Sequence, residues 1–432
     1  MLSSQYSPLS QIENNNGLKG VNPTVIESRL RQYEQLGIHR TGLPGDDATT
    51  EWLALELSNL GVEPIVQSYT FPRFEYKTAE LRADNIHVTG IPMFDGGVTG
   101  PTGVEGELAD DSEEDLFGKI VIANSAIRKD MRWMDPHAKG HYESIAQRGA
   151  IGIIVPTGDP EGKIVLRNAE SIRDPFQLPV LQVEPDYVKR LRSQLIIGGS
   201  AILKIDGHRL SSTATNILAN LKPADNSDRP GIGVMTPKSG WFTCAAERGG
   251  GLAAWLAIAE AMNEWSERPS SFHFSATGGH ELGHQGLIHH LKTSKSDENG
   301  MSHPAHTWLH LGASIGAKHV DAMRGPNMIE GKKRGARLSA SSQSLMILAE
   351  SALNEAAINP FEYFPEPVGT QVGGEARDIA SRGGKFISFR GGHHYFHSPQ
   401  DTVDIAVDAG KISRWAIAAI KVASRLAEQM KN

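Results

Sequence analysis

The sequence predicts an α/β protein: a mostly parallel sheet covered by helices, interrupted early by a β-rich section. Three observations carry this. From Thr215 onward, apolar strand-like runs alternate with helical patterns, the rhythm of parallel strands joined by crossover helices. Between about Glu75 and Ser212 the rhythm changes to short strands cut by Gly, Pro and Asp turns. Finally Phe272–Ala276, a short apolar run of the buried-strand type, leads through two glycines into His280-Glu281-Leu282-Gly283-His284. Open α/β sheets bind ligands outside the carboxyl ends of their strands, so imidazole and carboxylate at that place mark a site.

In chain order, residues 1–20 read as a flexible, Ser- and Asn-rich arm. Val25, Ile26, Leu30, Tyr33 and Leu36 lie on one helix face, predicting a helix from Pro23 to Leu36. Gly-Leu-Pro-Gly-Asp-Asp reads as a turn before a second helix, Ala48 to Leu60, that Gly61 ends. Val62 to Phe71 alternates as a strand. Within the β-rich section, 119–123 and 151–155 read as strands and His141–Arg148 as a helix. The acidic run Asp110–Asp115 reads as a solvated loop or a calcium site. Further on come strands at 215–221, 231–236, 307–311 and 385–389, and helices at 252–262, 342–356 and 412–430.

A chain of 432 residues exceeds one compact core, so two domains are expected. The net charge of −7 leaves no basic footprint for nucleic acid, and no apolar run is long enough for a membrane span. The polar opening lacks the apolar core of a secretory signal, and the sole cysteine, Cys244, rules out an internal disulfide. A reducing cytoplasm is the expected compartment. Twelve of the 17 histidines fall between His273 and His397, which places metal or acid–base chemistry in the C-terminal half. His-Glu-x-x-His also matches the zincin pattern, which needs both histidines one turn apart on a helix. Gly278, Gly279, Gly283 and Gly286 argue against that helix and for a strand-end loop.

Several segments together resemble the M28 family of zinc aminopeptidases and carboxypeptidases, in members that carry a protease-associated (PA) insertion. They are GLPGDDATTEWLALELSNLGVEP, GKIVIANSA, AQRGAIGIIVPTGD, ATGGHELGHQGL and FHSPQDT. The resemblance implies a three-layer α/β/α sandwich from residues 21–75 and 213–432, with 76–212 as a PA-like insertion. It also implies a metal-dependent hydrolase of an amide bond in a small molecule or short peptide. The family uses two zinc ions, five protein ligands and a glutamate base. Carried over residue by residue, the first ligand position holds Thr236, with Lys238 where the family has an aspartate. Glu247 is the candidate for the bridging acid, His280 stands in the base position, and Glu281 and His397 keep ligand positions. The remaining ligand aligns best with His310, and a shift of two would put Gly312 there instead.

The expectation is therefore one divalent ion, zinc, held by Glu281 and His397 with Glu247 or His310, and no second ion. Glu281 and His280 are the catalytic candidates; His280 is a base, an extra ligand or a polar plug. Glu375, at the pocket rim by alignment, Arg377, Arg390, Arg248 and Tyr395 are candidates for substrate contact, although Glu247–Arg248 reads equally as an ion pair. Two alternatives stand beside this: a catalytically silent relative that binds a ligand or partner, and a metal-free amidohydrolase using Ser239 and Lys238. Oligomeric state is left open.

Overall fold

The computed structural model describes residues 8, 18–123, 137–159, 161–195, 198–227, 231–294, 305–318 and 336–430. The chain runs α1 (Pro23–Gln35), α2 (Pro44–Asn59), β1 (Pro64–Ala83), β2 (Ile86–Thr89), β3 (Ile91–Pro92), β4 (Val104–Asp110), β5 (Ile120–Ile122) and α3 (His137–Gln147). It continues through β6 (Gly152–Pro156), β7 (Val180–Val183), α4 (Pro185–Leu195), β8 (Ser200–Leu221), β9 (Gly231–Pro237), α5 (Gly249–Glu264), β10 (Phe272–Thr277) and α6 (Gln285–Thr293). Last come β11 (Ala305–Leu311), β12 (Ala336–Ala340), α7 (Gln343–Glu355), β13 (Tyr363–Pro365), α8 (Ala376–Ala380), β14 (Lys385–Arg390), α9 (Val403–Ala406) and α10 (Ala409–Gln429).

Strands β10, β9, β11 and β14 are parallel neighbours. Antiparallel β8 flanks them on one side and antiparallel β12 on the other. Period-two alternation sends their side chains to two helix layers. Ile232, Val234, Leu309 and Leu311 share a core with Trp255 of α5, Leu353 of α7 and Trp415 of α10. Met235 and Trp308, one residue out of phase, pack instead with Leu287 of α6 and Ile379 of α8. The result is a mixed sheet between two helix layers, as the sequence predicts.

The β-rich section grows out of that sheet. β1 and β8, of 20 and 22 residues, pair antiparallel from Pro64↔Ala219 to Arg82↔Ile202, with one register shift at Tyr76/Thr78. The boundaries expected at 75/76 and 212/213 thus fall inside one continuous ribbon. At its far end β8 pairs with β4, which leads into the parallel run β4–β5–β6–β7 with β3 on the edge. Ile122, Ile154, Leu181 and Leu203 fill one core there; Val121, Ile153, Val180 and Tyr142 fill another.

Local differences from expectation have physical causes. α2 begins at Pro44, not Ala48: Pro44 suits the first helical turn, and Asp46 and Asp47 complement its dipole. α5 takes in Gly249, Gly250 and Gly251 and so begins ahead of the expected residue 252. The arm expected over 1–20 lies, apart from Pro8 and Leu18–Gly20, outside the described residues. Its last residues are packed: Leu18 is buried, and the Gly20 N–H donates to Glu260 Oε2 at 2.6 Å. In the acidic run, Asp110 pairs with Arg192 and Glu113 with Lys119.

Candidate functional site

Four parallel strands end on one edge of the sheet, and three hand their next residues to one cluster. β9 leads into Lys238 and Ser239, β10 into His280 and Glu281, and β14 into His393 and His397. Glu281 sits in a 3-10 turn, His280–Leu282, between Gly279 (φ 73°) and Gly283 (φ 74°), a left-handed backbone that glycine adopts freely. This turn removes the zincin reading. His284 is itself left-handed, and α6 starts only after it, so the two histidines do not share a helix face. Glu247 stands at the entry to α5, where Asp401 accepts the N–H groups of Ala246 (2.8 Å) and Glu247 (2.9 Å).

Glu247, Glu281 and His397 converge: one ligand atom from each lies within 4.8 Å of the others, and all three are buried. Among the described residues the other such group is Cys244, Glu247 and Asp401. His397 Nδ1 lies 2.7 Å from the Leu166 carbonyl, which can only accept, so Nδ1 carries the hydrogen. Nε2 then faces Glu247 Oε1 at 3.2 Å. Two lone pairs do not hold that approach; a proton or a cation belongs between them. Cys244, His284, Ser314 and His397 all have φ between 50° and 61°, a conformation costing non-glycine residues roughly 1–3 kcal/mol each that tends to gather at functional sites.

Arg248 completes the cluster. Its guanidinium has no exposed side-chain surface, donates Nε–H to the Ser239 carbonyl at 2.6 Å, and places Nη2 at 2.7 Å from Glu247 Oε1 and against Glu281 Oε1. Burial raises the pKa of Glu247, but Arg248 and His397 outweigh it and hold the carboxyl at about 2. Glu281 moves the other way: burial, reinforced by the Glu247 charge, exceeds the pull of Arg248. Of two buried carboxylates on one guanidinium, Glu247 carries the charge more readily.

A histidine wall adjoins this centre. Burial holds His280 well below its usual range, with Arg248 adding to the effect, and takes His310 to about 3. Burial thus favours the neutral form of the His280 imidazole, which is 5% exposed. Its Nδ1 lies 3.4 Å from Glu375 Oε1. Glu375, expected at the rim, is instead fully buried and accepts from Thr277 Oγ1 at 2.8 Å. Burial pushes it up to about 8, so it is protonated at neutral pH.

That shift sets a pH dependence. Because the folded pKa lies above the unfolded value of 4.5, the stability Glu375 contributes is complete below 4.5 and is lost as pH rises through about 8. Glu375→Gln keeps the shape and removes the titration. It should gain on the parent chain between pH 6 and pH 9, by on the order of a few kcal/mol at about 1.4 kcal/mol per pKa unit. Urea midpoints at the two pH values measure this, and parallel pH profiles would refute it.

The other expected residues are placed as follows. His310 bonds Ser388 Oγ through Nδ1 (2.8 Å) and is not part of the three-residue group. Arg377 pairs with Glu170, Arg390 with Glu366, and the Tyr395 hydroxyl with Glu161. Thr236 Oγ1 donates to the Leu311 carbonyl (2.8 Å). The Ser239–Lys238 nucleophile is corrected: the Lys238 ammonium is paired with Asp46, while Ser239 Oγ donates to Glu281 Oε2 at 3.3 Å. Sequence reasoning missed Asp46, Asp401 and the Leu166 carbonyl. Asp401 had a signal in the quoted FHSPQDT segment, and Asp46 had one because a strand-end lysine at a buried site requires an acid.

The β-rich section closes over the centre. Besides the Leu166–His397 contact, the Ala169 N–H donates to the Glu281 carbonyl (2.7 Å), and Asp159 accepts from Ser398 (2.6 Å) and Gln400 (2.8 Å).

Fold and strand-end cluster together define an α/β protein, a mixed sheet between two helix layers with a buried carboxylate–histidine group at its strand ends. Among solved structures the chain is similar to a zinc aminopeptidase from Bacillus subtilis, with TM-score 0.74, 15% identity and coverage of 94% of this chain and 95% of that one. An aminopeptidase from Aneurinibacillus sp. strain AM-1 matches with TM-score 0.66, 15% identity and 94% of each chain. A peptidase M28 precursor from Shewanella amazonensis matches with TM-score 0.64, 15% identity, 95% of this chain and 98% of its own. At such identity the likeness is one of fold. No family model matches the chain, and no curated protein does.

Proposed function

We propose that this protein is a hydrolase of an amide bond in a small molecule or short peptide, working with one divalent ion, zinc by its donor set. The observation that carries the reading is His397 Nε2, its partner nitrogen committed to Leu166, aimed at Glu247 Oε1 beside Glu281. A ligand histidine whose second nitrogen donates to a carbonyl is the usual arrangement at zinc. Arg248 engages one oxygen of each glutamate, which leaves lone pairs for an ion on both. A second ion does not fit, because Thr236 is spent on a carbonyl and Lys238 brings a positive charge.

Glu247, Glu281 and His397 would hold the ion, which when bound polarises a carbonyl and makes water a nucleophile at neutral pH. The chain's own residues do the rest. Asp401 fixes the turn of Glu247, and Leu166 fixes the tautomer of His397. His280 takes a proton at its imidazole and returns it to the leaving nitrogen, with Glu375 behind it as a second proton store. Arg377, Arg390 and Tyr395 are the candidates for substrate contact, and the insertion is read as PA-like. A buried free cysteine fits a cytoplasmic setting. Among the described residues no helix is long and apolar enough to cross a membrane.

A silent relative is the second reading, favoured by Arg248, which compensates the glutamates without any ion. Metal analysis of protein prepared without chelators, with a panel of aminoacyl amides, tests both. One ion per chain and turnover are expected. Glu281→Ala and His397→Ala should each empty the site, and Thr236→Ala should leave it filled. Two ions per chain would overturn the proposal, and none would favour the silent relative.

A further inference from the structure

Two carboxylates brought together away from water repel each other and are costly to keep ionised, so a centre built from them needs a positive charge even before any ligand arrives. In this chain that charge is covalently attached. Arg248 precedes the first turn of α5, next in sequence to Glu247, and its side chain has no exposed surface. One nitrogen, Nη2, serves Oε1 of both Glu247 and Glu281, and Nε anchors the group to the Ser239 carbonyl. A second fixed cation lies at the end of β9, where Lys238 is paired with Asp46, both fully buried.

We propose that Arg248 is a built-in substitute for a second ion: it holds Glu247 and Glu281 together in the metal-free protein and supplies the charge that a second divalent ion would bring. The one-ion count rests on the hydrolase reading above; the holding role does not. Three consequences follow from the geometry. Removing bound metal leaves the cluster assembled, because the guanidinium still spans the two carboxylates. Removing the guanidinium makes the fold dependent on an added cation. Removing the guanidinium together with one carboxylate charge removes that dependence, since one glutamate with His397 no longer needs an external charge. Arg248 acts through the glutamates, so it is a positioning residue and its signature is stability rather than turnover.

The test uses the full chain, thermal unfolding in EDTA and in excess Zn²⁺, and metal content by elemental analysis. The parent protein should stay folded after chelation, losing only the increment that a bound ion adds by mass action. Arg248→Met should melt at least ~5 °C lower in EDTA and recover most of that loss in zinc. Arg248→Lys, which keeps a charge, should fall between them. If Arg248→Met does not fold without zinc, the double variant Arg248→Met/Glu281→Gln should fold in EDTA. A loss in Arg248→Met that zinc leaves unchanged would overturn the proposal, as would no loss at all, or a double variant less stable than Arg248→Met. Metal content separates the two readings. A parent chain that binds no ion defeats the one-ion hydrolase, while a zinc-rescued Arg248→Met still upholds the role of Arg248.

Discussion

Asp46→Ala should cost the fold about 3–5 kcal/mol, the usual penalty for stripping a buried charge of its partner. The Lys238 and Asp46 side chains are both fully buried. In the variant the ammonium keeps the residue 46 carbonyl, at 3.2 Å in the parent, but no counter-charge. Gly42 also loses the carboxylate that its N–H reaches at 2.9 Å. Substituting both members, Asp46→Leu with Lys238→Met, should recover most of the loss, because a buried pair can be exchanged for apolar groups of similar volume at little net cost. Urea unfolding reads the effect as a shift in midpoint at constant slope. An Asp46→Ala variant within ~1 kcal/mol of the parent would show that the pair is dispensable, against the range expected for buried pairs.

His280→Ala should lower turnover by on the order of 10²–10⁴ with metal content unchanged. The ring lies one residue from Glu281 but outside the Glu247–Glu281–His397 group, and it is the member of the wall with measurable exposure. Burial keeps the ring neutral and so open to a proton, while making it a weaker base than the near-neutral group that suits proton transfer best. Glu375 behind it, near 8, exchanges protons in the working range and should shape the alkaline limb of the pH–rate profile. Loss of metal in His280→Ala would make this residue a ligand instead. Unchanged turnover would reduce it to packing.

Much of this was legible in the sequence because periodicity and strand-end motifs are local. The alternation after Thr215 foretold the sheet, and Glu281 and His397 could be read from their flanking residues. Glu247 was the one acid available in its segment. The failures also have physical reasons. Pro44-Gly45-Asp46-Asp47 carries the residues that write turns, but proline and aspartate also write the first turn of a helix. The strand expected to stop at Phe71 runs to Ala83, because its partner β8 continues beside it. The motif offers an imidazole at His280 but not its basicity, since burial is a property of the fold and not of the motif. The Leu166 carbonyl left no trace at all: every residue has a carbonyl, and this one meets its histidine across 231 positions of chain.

That contact makes the two parts of the molecule thermodynamically reciprocal. The hydrogen on His397 Nδ1 is held by a backbone oxygen of the β-rich section, and the turn bearing Glu281 is tied to the same segment through Ala169. Whatever draws that segment away leaves the imidazole free to change tautomer and weakens its hold on a cation. By the same coupling free energy, a cation bound there pulls the segment down. Under the proposed function, affinity for a cation at the centre and the seating of this segment on it are therefore one equilibrium read at two places.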